Sequence, residues 1–173
     1  MQATAETRIR VRYAETDQMG VVYYSNYLVW MEVGRVEFCR TRGFNYRDME
    51  RDDGILLAVA EANCRYRYPA RYDDEVIVKT SLKEANRRIV TFVYEITAAD
   101  SGRILADGTT RHVFLDREMR LTRLPEKYFG LFGLLCQALS NLDQTRGEYC
   151  ATILASRQSC AHAQIQPAVN VRR

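Results

Sequence analysis

Apolar and polar positions alternate from Thr7 to Tyr13, with Ile9, Val11 and Tyr13 on one face and Arg8, Arg10 and Arg12 on the other. A period of two predicts a half-buried strand. Residues 1–5 read as a loose end. A polar loop, 14–22, follows, and then the period changes. Ser25 to Arg42 reads as a helix, with Ser25 as N-cap and Gly43 at the C′ position, where Phe44 folds back on the last turn. Its first half, Tyr27-Leu-Val-Trp-Met31, is apolar nearly all round and expects cover on most sides, with Leu28 and Met31 in the core.

Residues 44–53 are polar and predict a turn or short helix. Ile55 to Tyr68 reads as a long strand. It is apolar on both faces at first, and later alternates Cys64, Tyr66 and Tyr68 with Asn63, Arg65 and Arg67. Pro69 ends it, because proline has no N–H for a ladder. Glu75 to Glu84 alternates Val76, Val78, Thr80 and Leu82 against Ile77, Lys79, Ser81 and Lys83. Asn86-Arg-Arg88 makes a turn into Ile89–Ala98, whose Val90, Phe92, Tyr94 and Ile96 share a face. Asp100-Ser-Gly102 is another tight turn, and Arg103 to Leu115 is the last strand.

This order is α+β: an antiparallel sheet of about five strands with one long helix. Hairpin turns exclude a doubly wound parallel sheet, which needs long crossovers. One helix cannot cover both faces of such a sheet, so the other meets water or a partner. Residues 1–125 read as the domain. Residues 126–173 read as a C-terminal extension, with a helix over 128–139 and then a weakly structured tail rich in Gln, Ser and Ala.

A chain of 173 residues, 47% hydrophobic, suits one globular domain. The net charge is +3, too small for a nucleic-acid binder, and no basic–aromatic segment of the RNA-binding type occurs. Among 25 basic residues only Lys79, Lys83 and Lys127 are lysines. Arginine's planar fork suits phosphate, although many of these side chains are simply solvated. The five cysteines, at 39, 64, 136, 150 and 160, show no metal spacing. Their odd number, a polar N-terminal stretch and the lack of a spanning apolar run predict a cytoplasmic protein that is not bound to membranes.

Several chemistries are excluded by what is missing. There is no G-x-S-x-G elbow, no phosphate-binding glycine loop and no dinucleotide fingerprint. Only His112 and His162 are histidines, so neither a catalytic zinc nor a histidine-based triad is expected. Carboxylates remain. Asp17 and Glu15 stand in the loop before the helix. A helix start carries unpaired N–H groups and attracts negative charge. A carboxylate beside it can attack a carbonyl, or activate water, while the N–H groups polarise the oxygen. Glu61, an acid in an otherwise apolar strand, is a second candidate, and its plainer reading is an edge or interface residue with a basic partner.

The segment Asp17-Gln-Met-Gly-Val-Val-Tyr-Tyr-Ser-Asn-Tyr-Leu28 resembles the active-site loop of hotdog-fold acyl-CoA thioesterases, of the 4-hydroxybenzoyl-CoA thioesterase and short-chain acyl-CoA thioesterase type. The resemblance continues through Tyr68-Pro-Ala-Arg-Tyr-Asp-Asp74 and reaches about Pro125. It implies a hotdog fold, a sheet wrapped around the helix, and assembly as a homodimer or homotetramer. It implies hydrolysis of an acyl-CoA to free acid and coenzyme A without a cofactor. Asp17 then stands at the catalytic aspartate. Tyr24 stands where a backbone N–H binds the thioester oxygen, at a position that is histidine in many members and aromatic in the hydroxybenzoyl type. Glu15 falls on a more variable position. Arg87 and Arg88 stand where hydroxybenzoyl-type members contact the coenzyme A phosphates. Other readings of the same fold are an acyl-carrier-protein thioesterase, a hydratase, which favours a His–Asp pair, and a non-catalytic acyl-CoA-binding protein.

Overall fold

The computed structural model describes residues 4–132. Five strands form one sheet: β1 (Thr4–Arg10), β2 (Leu56–Tyr66), β3 (Glu75–Ala85), β4 (Ile89–Ala98) and β5 (Ile104–Leu115). Their spatial order is β1-β3-β4-β5-β2, and every ladder is antiparallel. The α+β reading therefore holds. The main helix, α1 (Asn26–Arg40), packs against β1, β3 and β2. The alternating faces read from sequence turn inward as expected. Val76, Val78 and Thr80 of β3 and Val90, Phe92, Tyr94 and Ile96 of β4 are buried beneath the helix residues Trp30, Met31 and Phe38.

Helix and sheet approach closely at Gly34. A Cβ there would lie 2.6 Å from Thr80 Oγ1 and 2.8 Å from Val78 Cγ1, so the absence of a side chain sets the spacing. The helix ends as predicted in kind. Gly43 takes φ +74°, the Phe44 N–H bonds the Cys39 carbonyl at 3.1 Å, and Phe44 is buried. Residues 46–53 form a short helical turn followed by a π-type turn, Met49–Asp53.

Four details differ from the sequence reading. The first strand begins at Thr4, where a loose end was expected, and stops at Arg10. Val11 is buried, but Tyr13 belongs to a 3-10 turn and is 78% exposed. Next, Ser25 precedes α1 with helical angles (φ −67°, ψ −24°), and its hydroxyl makes no cap. A capping hydroxyl needs extended backbone, and the chain enters this helix already coiled by the Tyr23–Asn26 turn. The helix itself stops two residues short of Arg42. Finally, α1 is not covered on most sides: Met31 is fully buried, but Leu28, Val29 and Val33 are exposed. One helix on one face of a sheet buries only the stripe that touches it.

β2 lies at the sheet edge, with a bulge between Val59 and Glu61. Glu61 is exposed there and stands opposite Arg111 in the register. Beyond β5, Glu126–Tyr128 forms a 3-10 turn, and Phe129 and Phe132 are buried, Phe132 against Phe44 and Phe114. Most of the helix expected over 128–139, and the tail after it, lie outside the described residues. Among the described residues no helix is long and apolar enough to cross a membrane.

Candidate active site

The loop between β1 and α1 is built on Glu15. Its carboxylate is 4% exposed and accepts three hydrogen bonds: the Arg12 N–H at 2.8 Å, the Arg12 guanidinium at 3.0 Å and the Trp30 indole N–H at 3.1 Å. Burial alone would raise the carboxyl's pKa. The Arg12 and Trp30 bonds and the Arg12 charge outweigh burial and hold it below the ordinary value. The Glu15 carbonyl accepts from the Tyr23 N–H at 2.9 Å and from Asn26 Nδ2 at 2.8 Å. One residue thus ties the strand exit, the loop return and the helix start together.

Asp17 opens a tight turn. Its carbonyl accepts the Gly20 N–H at 2.9 Å, its N–H bonds the Val21 carbonyl at 2.9 Å, and Oδ1 accepts the Met19 N–H at 2.8 Å. A Thr16–Val22 bridge closes the loop. The carboxylate is half-buried, and Oδ2 has no hydrogen-bond partner among the described residues. It borders a cavity of about 350 Å³ lined by Tyr23, Tyr24, Tyr27, Tyr66 and Tyr68. Tyr24 stands in the turn that leads into α1. Its carbonyl accepts from the Tyr66 hydroxyl at 3.2 Å, and its own N–H has no acceptor among the described residues. The structure therefore brings Asp17 and Tyr24 to one cavity.

Arg87 and Arg88 are not brought there. They form the β3–β4 turn, whereas the Asp17 loop sits at the other end of β3, where Val11 bonds Asp74 and Val22 bonds Ala70. Ten residues of strand separate the two places, about 30 Å. Arg87 lies 3.8 Å from Glu126 and stacks over Phe129 at 5.1 Å.

Two features were not foreseen. The tyrosine lining came from the alternation at Tyr66 and Tyr68, which was visible in sequence, but not the loop that folds over it. Burial, then a hydrogen bond with Cys64, pushes the Tyr66 phenol up to about 12. Glu15, read as a variable neighbour of Asp17, is the loop's anchor. His112 is fully buried, and Nε2 pairs with Thr110 Oγ1 at 2.8 Å. Burial, then the Arg35 charge, lowers its pKa to about 3, so it is a neutral core residue. Among the described residues no group of three or more His, Cys, Asp or Glu is placed to hold a metal ion.

Residues 11–131 match the model of the thioesterase-like superfamily. The chain belongs to that family. It is 40% identical to the putative acyl-CoA thioesterase YneP of Bacillus subtilis, over 66% of this chain and 81% of that one. Among solved structures it is similar to DHNA-CoA thioesterase from Staphylococcus aureus, with 32% identity, a TM-score of 0.68, and cover of 84% and 94% of the two chains. It is also similar to 4-hydroxybenzoyl CoA thioesterase from Pseudomonas sp. strain CBS-3, with 22% identity, a TM-score of 0.68, and cover of 75% and 99%. The last likeness concerns the fold. The fold of this thioesterase-family chain is the hotdog fold, as the loop resemblance implied, and its reaction is the hydrolysis of a thioester.

Proposed function

We propose that the chain hydrolyses acyl-CoA at the tyrosine-lined cavity, with Asp17 as the reacting carboxylate and the Tyr24 N–H as the donor to the thioester oxygen. The observation that carries this reading is that a half-buried carboxylate and an unpaired N–H at a helix start border the same cavity. As the carbonyl carbon becomes tetrahedral its oxygen gains charge, which an N–H held in place stabilises without rearrangement. The phenol of Tyr24 has no part in this. Asp17 acts in one of two ways. As general base it takes a proton from water, whose oxygen bonds the carbonyl carbon. As nucleophile it forms a mixed anhydride that water then opens. In both, the C–S bond breaks and the thiolate leaves as coenzyme A.

A cavity of about 350 Å³ walled by five tyrosines suits short-chain or aromatic acyl groups. A thiol-release assay over acetyl-, benzoyl- and palmitoyl-CoA, with an acyl-carrier-protein thioester alongside, tests the reading. Turnover is expected for the first two above the third and above the carrier-protein substrate. Release from the carrier protein alone would move the substrate class, and no release at all would leave a binding protein.

The proposed assembly is a homodimer or a dimer of dimers. Edge strand β2 and the exposed Leu28, Val29 and Val33 support it, because both offer surface to a second copy. Arg87 and Arg88 enter the reading only through such a copy, since they stand too far from Asp17 in their own chain. In that role they hold phosphates that change little during the reaction. Replacing both by alanine is then expected to raise KM for acyl-CoA more than it lowers kcat, and most strongly at low salt. Steady-state kinetics at two salt concentrations measure this. The free thiols of Cys39 and Cys64 fit a reducing compartment such as the cytoplasm.

A further inference from the structure

Tyr24 stands between two peptide groups, and they are held differently. The peptide before it carries the N–H that faces the thioester oxygen in the reading above. Its carbonyl, on Tyr23, takes the Asn26 N–H at 3.0 Å, and the Tyr23 N–H bonds the Glu15 carbonyl at 2.9 Å. The peptide after it presents the Tyr24 carbonyl. The helix passes this oxygen by. Leu28 and Val29 both bond the Ser25 carbonyl, at 3.1 and 3.4 Å, and no backbone N–H among the described residues bonds that of Tyr24. The Tyr24 side chain is 57% exposed, so no core packing holds the residue in its place.

Among the described residues the Tyr24 carbonyl has one partner, the Tyr66 hydroxyl at 3.2 Å. Tyr66 comes from β2, 42 residues further along the chain, and lines the same cavity as Asp17. Its ring makes T-shaped contacts with Tyr27 at 5.3 Å and Tyr24 at 6.4 Å. Tyr27 is buried, and its own hydroxyl accepts the Ala70 N–H at 3.1 Å. The Tyr66 ring therefore rests on a fixed neighbour. A phenol has one proton to give, and an amide oxygen accepts it better than the Cys64 thiol alongside. Burial, then the bond with Cys64, pushes this phenol up to about 12, so the proton stays in place at ordinary assay pH.

We propose that Tyr66 is a positioning residue for the hydrolysis, its hydroxyl fixing the Tyr24 backbone so that the Tyr24 N–H meets the thioester oxygen. The inference rests on that N–H being the donor. Tyr66 touches no reacting atom in this role. A donor swung out of line stabilises a developing oxyanion less, while the ground-state carbonyl loses little. The effect of the hydroxyl therefore belongs in kcat and not in binding.

Tyr66→Phe removes the hydroxyl and keeps the ring. The substrate is whichever of acetyl-, benzoyl- and palmitoyl-CoA the wild type hydrolyses fastest. kcat is expected to fall about three- to tenfold, the usual worth of one hydrogen bond, with affinity within about twofold of wild type. The second readout is the infrared band of an isotope-labelled thioester carbonyl bound to Asp17→Asn, where slow turnover leaves the substrate intact. A donor in place draws that band below its frequency in free acyl-CoA. The displacement is expected to shrink when Tyr66→Phe is added to Asp17→Asn, which a merely structural role would not cause. An unchanged kcat, or a lower kcat with an unmoved band, would overturn the assignment. So would a Tyr66→Phe protein that no longer binds acyl-CoA, because the hydroxyl would then support the fold or the cavity. A band already at the free frequency in Asp17→Asn would refute the Tyr24 donor itself, and this role of Tyr66 with it.

Discussion

Glu15→Ala is expected to unfold at markedly lower urea concentration than wild type, a loss on the order of 3 kcal/mol. The substitution removes the acceptor for three donors. The Arg12 guanidinium is 73% exposed and will find water. The Trp30 indole N–H cannot, because Trp30 is 1% exposed. A buried donor left without an acceptor costs about 1–3 kcal/mol, and the strand exit and helix start also lose their common anchor. Turnover should fall as well, since the Glu15 carbonyl holds the Tyr23 N–H and the Asn26 side chain in place. Glu15→Gln separates charge from shape. Because the folded protein holds this carboxyl below its ordinary value of 4.5, the charge contributes stability above that pH. The contribution is lost as pH falls through the folded value. Wild type should therefore exceed Glu15→Gln in stability at pH 7, and the gap should narrow at a pH well below 4.5. Urea midpoints at the two pH values measure it. A gap of the same size at both would mean that the charge of Glu15 contributes nothing.

The parts of the fold legible in sequence are those fixed by local chemistry. β4 was read to the residue because a strict alternation lies between two turns, one built on Asn86 and one on Gly102. Gly43 and Phe44 ended the helix for reasons contained in four residues. The misreadings have tertiary causes. Alternation continues to Tyr13, but the clamp of Glu15 on Arg12 and Trp30 coils the chain first. The start of α1 is apolar on every side, so no period could say that Met31 faces the sheet and Leu28 does not. At the site, Asp17 and Tyr24 were legible because one loop carries both. The tyrosine wall was not, because separate segments meet only in the folded chain.

The central claim is that Asp17 carries the reaction. Asn keeps the size of Asp and retains an oxygen for the Met19 N–H that Oδ1 now accepts at 2.8 Å. The turn should therefore survive, and the cavity with it. What Asn lacks is the negative charge and the basic oxygen, and both proposed roles need them: an amide neither takes a proton from water nor attacks a thioester at useful rate. Removing a positioned base costs at least about 10²-fold in rate, close to 2.7 kcal/mol in the barrier. Binding should persist, because the tyrosine wall is untouched. The most direct measurement is thiol release from one acyl-CoA substrate by wild type and Asp17→Asn, with the affinity of each for that substrate measured in parallel. A fall in kcat of about 100-fold or more, with affinity retained, is expected. Turnover within a few-fold of wild type would contradict it.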